Sequence, residues 1–453
     1  MNFFFKSYIN RYSLIFNILM IVILTANSSV RAEVMEKTLD NGLQIILKKD
    51  KRAPVVTSHI WYKIGSADEL SGKTGLSHAL EHMMFKGTKK NPKGKFSSVI
   101  AKLGGRENAF TSKDYTAYYQ TLPSEHLEQA IKLESDRMTN LVIKEEDFLK
   151  EIEVIKEERR LRTDDQPEGI AYEQLYASAY NNSSYHDPII GWMEDLNNMS
   201  YRDISDWYKN WYAPNNATVV IVGDIDFEKT FQLIEKYYGT KKSIKIKERI
   251  LRDEPIQFGE KKSSIVIDGK PSYLITGYKV PSINTKSKDE EWECYALSVL
   301  SGILSSGQNA RLQKTLVKSK KIASYADSGY SMFSRQDPLF MIDVNPMVGV
   351  SIDVIEDELQ KLIKDLQTNL VNKKELERIK AQVLATEIYQ QDSIDYQARI
   401  LGMIKTSIGN IKVIDEYTSK INSVTAKQIR EVAKKYLVKN LKTTVIVNNT
   451  TKQ

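Results

Sequence analysis

The sequence predicts an α+β chain built as two homologous halves, and three observations carry that reading. At 453 residues the chain is longer than one ordinary domain. Residues 200–222 (SYRDISDWYKNWYAPNNATVVIV) align without gaps on residues 425–447 (TAKQIREVAKKYLVKNLKTTVIV), pairing Ile204 with Ile429, Trp211 with Tyr436 and Val220-Ile221-Val222 with Val445-Ile446-Val447. Each copy reads as an amphipathic helix, a turn and an apolar β run, the closing unit of an α+β domain. Residues 373–390 (KKELERIKAQVLATEIYQ) likewise echo residues 145–162.

Residues 1–32 stand apart. Lys6 and Arg11 precede an apolar run from Leu14 to Ala26, and small residues follow up to Val30-Arg31-Ala32. That is the pattern of a secretory signal, cut after Ala32. The rival reading, an uncleaved membrane anchor, suffers from the shortness of the run and from Asn17 inside it. Removing Lys6, Arg11 and Arg31 lowers the formal net charge by three from +7. So weakly basic a chain gives no reason to expect a nucleic-acid partner. A single cysteine, Cys294, excludes an internal disulfide and a cysteine-built metal site. Export without disulfides suits a bacterial periplasm, with no membrane span left after cleavage.

The chain holds five histidines, and two of them stand four apart in His78-Ala79-Leu80-Glu81-His82. On an α-helix, positions i, i+3 and i+4 share one face. The two imidazoles and the Glu81 carboxylate therefore lie together. Leu76, Leu80, Met83 and Met84 form the opposite face, which can dock on a core. Two rigid nitrogen ligands with a carboxylate base beside them are what a hydrolytic zinc site requires. The bland alternative is a surface helix with scattered polar residues.

Gly104-Gly105 reads as a turn feeding a strand from Arg106 that continues through Tyr115–Tyr119. A third metal ligand should be acidic or histidine and come from another helix. In Asp147–Arg162 (DFLKEIEVIKEERRLR), Phe148, Ile152 and Ile155 recur at helical spacing. Glu151 and Glu158 lie two turns apart on one stripe. Chemistry alone does not choose among Glu151, Glu153, Glu157 and Glu158, although a solvated face is the better reading of Glu153 and Glu157. The basic stretch Lys241–Pro255 is more polar than its flanks and reads as a linker. Domains are expected at 33–245 and 258–453, with 246–257 between them. The second half has no His-x-x-Glu-His, and Thr386 stands where Glu158 stands in the first. Metal chemistry is expected in the first half alone.

His-x-x-Glu-His is the inverzincin signature. Its setting, GLSHALEHMMFKGT (75–88), followed by GGRENAFTSKDYTAYY (104–119) and EIEVIKEERRLRTD (151–164), resembles the pitrilysin/insulinase metallopeptidases. The likeness is to their short two-repeat bacterial and mitochondrial-processing-peptidase-like branch, and it covers nearly the whole chain after the leader. It implies that each half is a mixed, mostly antiparallel sheet with helices packed on one face. It implies that Glu158 joins His78 and His82 in holding one zinc ion per chain, and that Glu151 supports the ligands from behind. It also implies that Asn108 and Ala109 lie on the sheet edge to which an extended peptide adds, so that cleavage has loose sequence preference. The activity implied is that of a zinc metalloendopeptidase. Glu81 takes a proton from the attacking water and passes it to the leaving amine.

One departure from the family matters. Many members carry an Arg and a Tyr seven apart in the second domain, where this chain has Val317 and Ser324. Lys318 and Tyr325 repeat the spacing one residue later, but a one-residue shift in a strand turns a side chain to the other face. The expectation is that the pair is absent. The chain would then be the zinc-bearing subunit of a heterodimer whose zinc-free homologue supplies it, with a homodimer as the alternative. A rival of another class is a non-catalytic envelope protein that binds peptides or aids assembly around a structural zinc. Against it, structural zinc has four protein ligands, and Glu81 would have no use. His59 and His126 read as structural, and His186 is given no role.

Overall fold

The computed structural model describes residues 34–250 and 252–449, so the expected leader lies outside the described residues. Among these residues no helix is long and apolar enough to cross a membrane. One sheet contains β1 (Val34–Thr38), β2 (Gln44–Lys49), β3 (Val55–Tyr62), β4 (Arg106–Thr111), β5 (Thr116–Pro123) and β6 (Ala217–Gly223) in the order β1-β2-β6-β3-β5-β4. The other contains β7 (Lys261–Val266), β8 (Tyr273–Lys279), β9 (Ala323–Gly329), β10 (Leu339–Pro346) and β11 (Lys442–Asn448) in the order β7-β11-β8-β10-β9. Apart from β1 the two orders correspond strand for strand. Each sheet has one parallel pair, β2 with β6 and β7 with β11, and the rest are antiparallel. The duplicated apolar runs are β6 and β11. The α+β reading with two homologous, mostly antiparallel sheets holds.

The stretch from Arg106 to Tyr119 is two strands rather than one. β4 ends at Thr111, the chain turns through Ser112–Tyr115, and β5 returns antiparallel with Thr111 opposite Thr116. Ser and Asp favour such turns by bonding nearby backbone. Aromatic and polar residues on both sides of the turn had hidden it. β4 pairs with β5 alone and forms the edge of the sheet.

Each sheet buries one face against helices of its own half. Leu43, Ile45 and Tyr62 join Leu80, Ile155 and Ile204 in the first core, and Leu274, Phe340 and Ile342 join Leu300, Ile379 and Ile429 in the second. The opposite faces are closed by exchange. The helix Pro167–Ala179 leaves the first half and packs Ala171 and Leu175 on Tyr273, Ile275 and Val445. The helix Ile394–Ser407 of the second half packs Ala398 and Leu401 on Ile46, Trp61 and Val220 of the first sheet. Strands buried on both faces read as continuous apolar runs, as β6 does. Each large aliphatic side chain so buried contributes about 1.5–3 kcal/mol.

Residues 242–250 and 252–258 form neither helix nor strand, and Arg249 there pairs with Asp68 at 3.0 Å. A second tie is Arg335, in the loop between β9 and β10. Its buried guanidinium lies 3.0 Å from Asp68 and 3.4 Å from Asp114 of the first half.

Candidate metal centre

The motif helix, Leu76–Met83, follows Gly75, whose φ of 86° suits glycine. A Cβ there would stand 2.7 Å from the Ile190 carbonyl oxygen. The helix start is held by Glu69, whose carboxylate accepts from the N–H groups of Gly75 at 2.7 Å and Ser77 at 2.6 Å. Acceptance of free N–H groups by an acid at this end is favourable. Leu76, Leu80, Met83 and Met84 are buried, which turns His78, Glu81 and His82 the other way.

A second helix, Glu145–Arg159, buries Phe148, Ile152 and Ile155. That orientation separates the four acids among which the sequence did not choose a ligand, with Glu153 and Glu157 on the solvated side as expected. Glu153 and Glu157 point to solvent and pair with Lys156 and Arg160. Glu151 and Glu158 face the motif helix. Glu158 Oε2 lies 3.3 Å from His82 Nε2 and 3.9 Å from His78 Nε2. Arg162, on the following π-helical turn (Arg160–Asp164), pairs with the other Glu158 oxygen.

One donor atom each from His78, His82 and Glu158 comes within 4.8 Å of the others. Tetrahedral zinc with bonds of ~2.0–2.1 Å places its ligand atoms ~3.4 Å apart, so a small closure brings these three onto one ion. The donor set, two nitrogens and a carboxylate oxygen with one position open, is that of catalytic rather than structural zinc. Burial pushes the His78 imidazole down to about 3, which keeps it neutral and able to ligate. For His82 burial acts downward too, but the hydrogen bond to Glu151 and the nearby Glu158 outweigh it and raise its pKa.

His82 Nδ1 lies 2.9 Å from Glu151 Oε1, and Lys86 pairs with the other oxygen of Glu151. The His82 bond and then Lys86 hold the Glu151 carboxyl down at about 2. An ionised Glu151 accepts a hydrogen bond from the Nδ1–H of His82, which leaves Nε2 for a metal. Glu81 is partly enclosed, and burial raises its pKa, toward the range a general base uses. The Thr111 hydroxyl donates to Glu81 Oε2.

Asn108 and Ala109 lie on the edge strand β4. The Ala109 N–H donates to Asn108 Oδ1 at 2.9 Å, so the Asn108 side chain covers a backbone donor at the edge. Both residues line a cavity of about 650 Å³ together with His78, Glu81, His82 and Glu158. The structure thus gathers every site residue named from the sequence except Glu151, which sits behind His82.

Sequence reasoning passed over Thr111, Lys86 and His186. Thr111 follows Ala109 by two, the strand period that puts both on one face, and this was the available signal. Lys86 is one helical turn beyond His82. His186 lines the cavity, and its Nδ1 lies 2.9 Å from Asp187. His59 is buried, 3.2 Å from Asp395 of the exchanged helix. Val317 packs on the second core, the Ser324 hydroxyl donates to the Asn345 carbonyl, and Tyr325 is 46% exposed with its hydroxyl on Asp327. None of these three lines the cavity, nor does Lys318.

Comparison with known proteins identifies the family. The family model "Insulinase (Peptidase family M16)" matches residues 44–191, and "Peptidase M16 inactive domain" matches residues 198–383. The zinc protease PqqE of Helicobacter pylori is 31% identical over 90% of this chain and 91% of its own. The crystal structure of a protease from Helicobacter pylori superposes with a TM-score of 0.87 at 30% identity, covering 92% of this chain and all of that one. The periplasmic protease PqqL of Escherichia coli shares the fold at a TM-score of 0.77 and 20% identity, with 93% of this chain matching 48% of that longer one. The chain is a member of the insulinase family of zinc proteases, peptidase family M16.

Proposed function

We propose that this chain is a zinc-dependent metalloendopeptidase that hydrolyses peptides or unfolded polypeptide segments. His78, His82 and Glu158 hold the metal, Glu81 is the general base, and Glu151 orients His82. The observation that carries this reading is the convergence of three ligand atoms within 4.8 Å, with Glu81 on the same helix face and an open sheet edge alongside. When bound, zinc supplies a Lewis acid that lowers the pKa of water and polarises a carbonyl. An extended peptide pairs with β4, and the Asn108 side chain gives up the Ala109 N–H to it. Backbone pairing fixes the scissile bond without demanding particular side chains. Glu81 accepts a proton from the attacking water and returns it to the leaving amine.

The chain acts as the zinc-bearing subunit of a dimer, placed outside the cytoplasm by its leader. The absence of an Arg/Tyr pair at Val317 and Ser324 supports a partner that supplies one. So does PqqL, in which a unit of this fold fills about half of a longer chain. The periplasmic description of PqqL supports export.

Zinc content and peptide cleavage of wild type and Glu81→Gln, with and without a zinc-free homologous subunit, test the reading. The wild type should bind one zinc and cleave well only with the partner. Glu81→Gln should keep the metal and lose turnover. Unchanged turnover in Glu81→Gln would overturn the assignment of the base, and full activity of the lone chain would overturn the heterodimer.

A further inference from the structure

We infer that Thr111 is the positioning residue of Glu81: its hydroxyl holds one carboxylate oxygen so that the other stays turned to the water. This rests on the reading of Glu81 as general base. The Thr111 hydroxyl donates to Glu81 Oε2. Among the described residues it is the one hydrogen-bond donor to that side chain, and Glu81 lines the cavity. A glutamate has three side-chain torsions. Left free beside a metal, its carboxylate can swing in as a ligand and cease to serve as a base. A donor on Oε2 opposes that swing. Threonine suits the task because its branched Cβ restricts χ1 and aims the hydroxyl.

The placement of Thr111 is well determined although β4 is a sheet edge. Thr111 is the last residue of the strand, and the turn that follows is tied down on several sides. The Ser112 N–H donates to Tyr115 O at 2.8 Å, and the Ser112 and Lys113 carbonyls accept from Ser66 and Ala67 at 3.1 and 2.9 Å. Asp114 accepts from the Tyr185 hydroxyl at 2.7 Å and from the Arg335 N–H at 2.9 Å. A Cβ on Gly65 would stand 2.4 Å from Ser112 O, which shows how closely the chain lies against this turn. The strand that receives the peptide at Asn108 and Ala109 therefore also sets the base. At ~3.3 Å per residue, Thr111 stands ~7 Å along the strand from Ala109. One rigid element indexes both the substrate backbone and the carboxylate.

A plain structural role, a threonine bonding wherever it can, makes different predictions. Thr111→Val removes the hydroxyl at nearly constant shape, Thr111→Ser keeps it, and Glu81→Gln serves as reference. Each is measured for zinc stoichiometry, for kcat and KM with whichever subunit cleavage requires, and for the visible absorption of the cobalt(II)-substituted protein. Thr111→Val should keep one metal per chain and a KM within about twofold. Its kcat should fall ~10–100-fold, the range of one hydrogen bond to a charged group. Its cobalt bands should shift as Glu81 approaches the ion, and Thr111→Ser should restore both kcat and spectrum. Wild-type kcat and an unchanged cobalt spectrum in Thr111→Val, with Glu81→Gln inactive, would overturn the role of Thr111 and leave the base assigned. Equal losses in the valine and serine variants, with metal lost from both, would overturn it too. Turnover in Glu81→Gln would instead strike the reading beneath it. Where no subunit supports cleavage, the cobalt spectrum decides alone.

Discussion

Trp61 and Gly402 come from opposite halves of the chain and meet ring to backbone: a Cβ on Gly402 would stand 2.1 Å from the indole. Gly402 lies in the helix that the second half lends to the first sheet, and Trp61 is fully buried in β3. Gly402→Ala therefore forces the helix or the indole to move. Overpacking of this kind costs about 1–3 kcal/mol. Urea unfolding should show that loss, and Trp61→Leu should recover part of it in the double variant by making room. Wild-type stability of Gly402→Ala would mean that the exchanged helix shifts freely.

Arg335 is the other tie between the halves, set between the buried carboxylates of Asp68 and Asp114. Removing one side of a buried ion pair leaves uncompensated charge, which costs about 3–5 kcal/mol. Arg335→Leu should lose stability on that scale. Adding Asp114→Asn should return part of it, since the remaining carboxylate, Asp68, keeps Arg249 as its partner at 3.0 Å. If the single variant loses under about 1 kcal/mol by denaturant titration, the ion cluster is not the clasp it resembles.

Asp343 and Asp327 sit directly opposite each other on β10 and β9. Burial first, and then the charge of Asp327, push the Asp343 carboxyl up to about 6. A carboxyl whose folded pKa lies above its unfolded value favours the fold while protonated. That contribution is complete below about 4 and is lost as pH rises through about 6. Asp343→Asn should thus be more stable than wild type at pH 7.5 and lose this advantage progressively as the pH falls from about 6 toward about 4. Melting temperatures of both proteins across that range check the sign, and a constant difference would refute it.

His78, Glu81 and His82 were legible because helical periodicity is local and five residues suffice to define a face. Glu158 was not legible from chemistry, since Glu151 and Glu158 share one stripe of the helix and either could ligate until the helix is set against its neighbour. Only the family likeness singled it out; the burial of Phe148, Ile152 and Ile155 supplies the rotation. The exchange of helices was hidden for a related reason. Ala171, Leu175, Ala398 and Leu401 announce apolar faces, but a pattern states that a face is covered and not by which sheet. Arg335, Asp68 and Asp114 are far apart in sequence, and nothing local in any of them foretells the cluster. The turn at Ser112–Tyr115 did carry its signal in Ser112 and Asp114, overridden by the aromatic alternation around it.

Glu151 touches the metal site only through His82, and its effect is separable from direct ligation. Its carboxylate accepts from His82 Nδ1 and is itself held by Lys86. Glu151→Gln keeps the shape but removes the charge that fixes the imidazole, and a partner of this kind is worth about 10–100-fold in metal affinity. Chelator competition should show that weakening while the stoichiometry at saturating zinc stays at one. Glu158→Gln, which removes a carboxylate proposed to bind the metal directly, should weaken binding further. Lys86→Met should fall between wild type and Glu151→Gln, because the carboxylate survives but turns less firmly toward His82. If Glu151→Gln binds zinc as tightly as the wild type, then the geometry of His82 is set by the packing of its helix and Glu151 is a bystander.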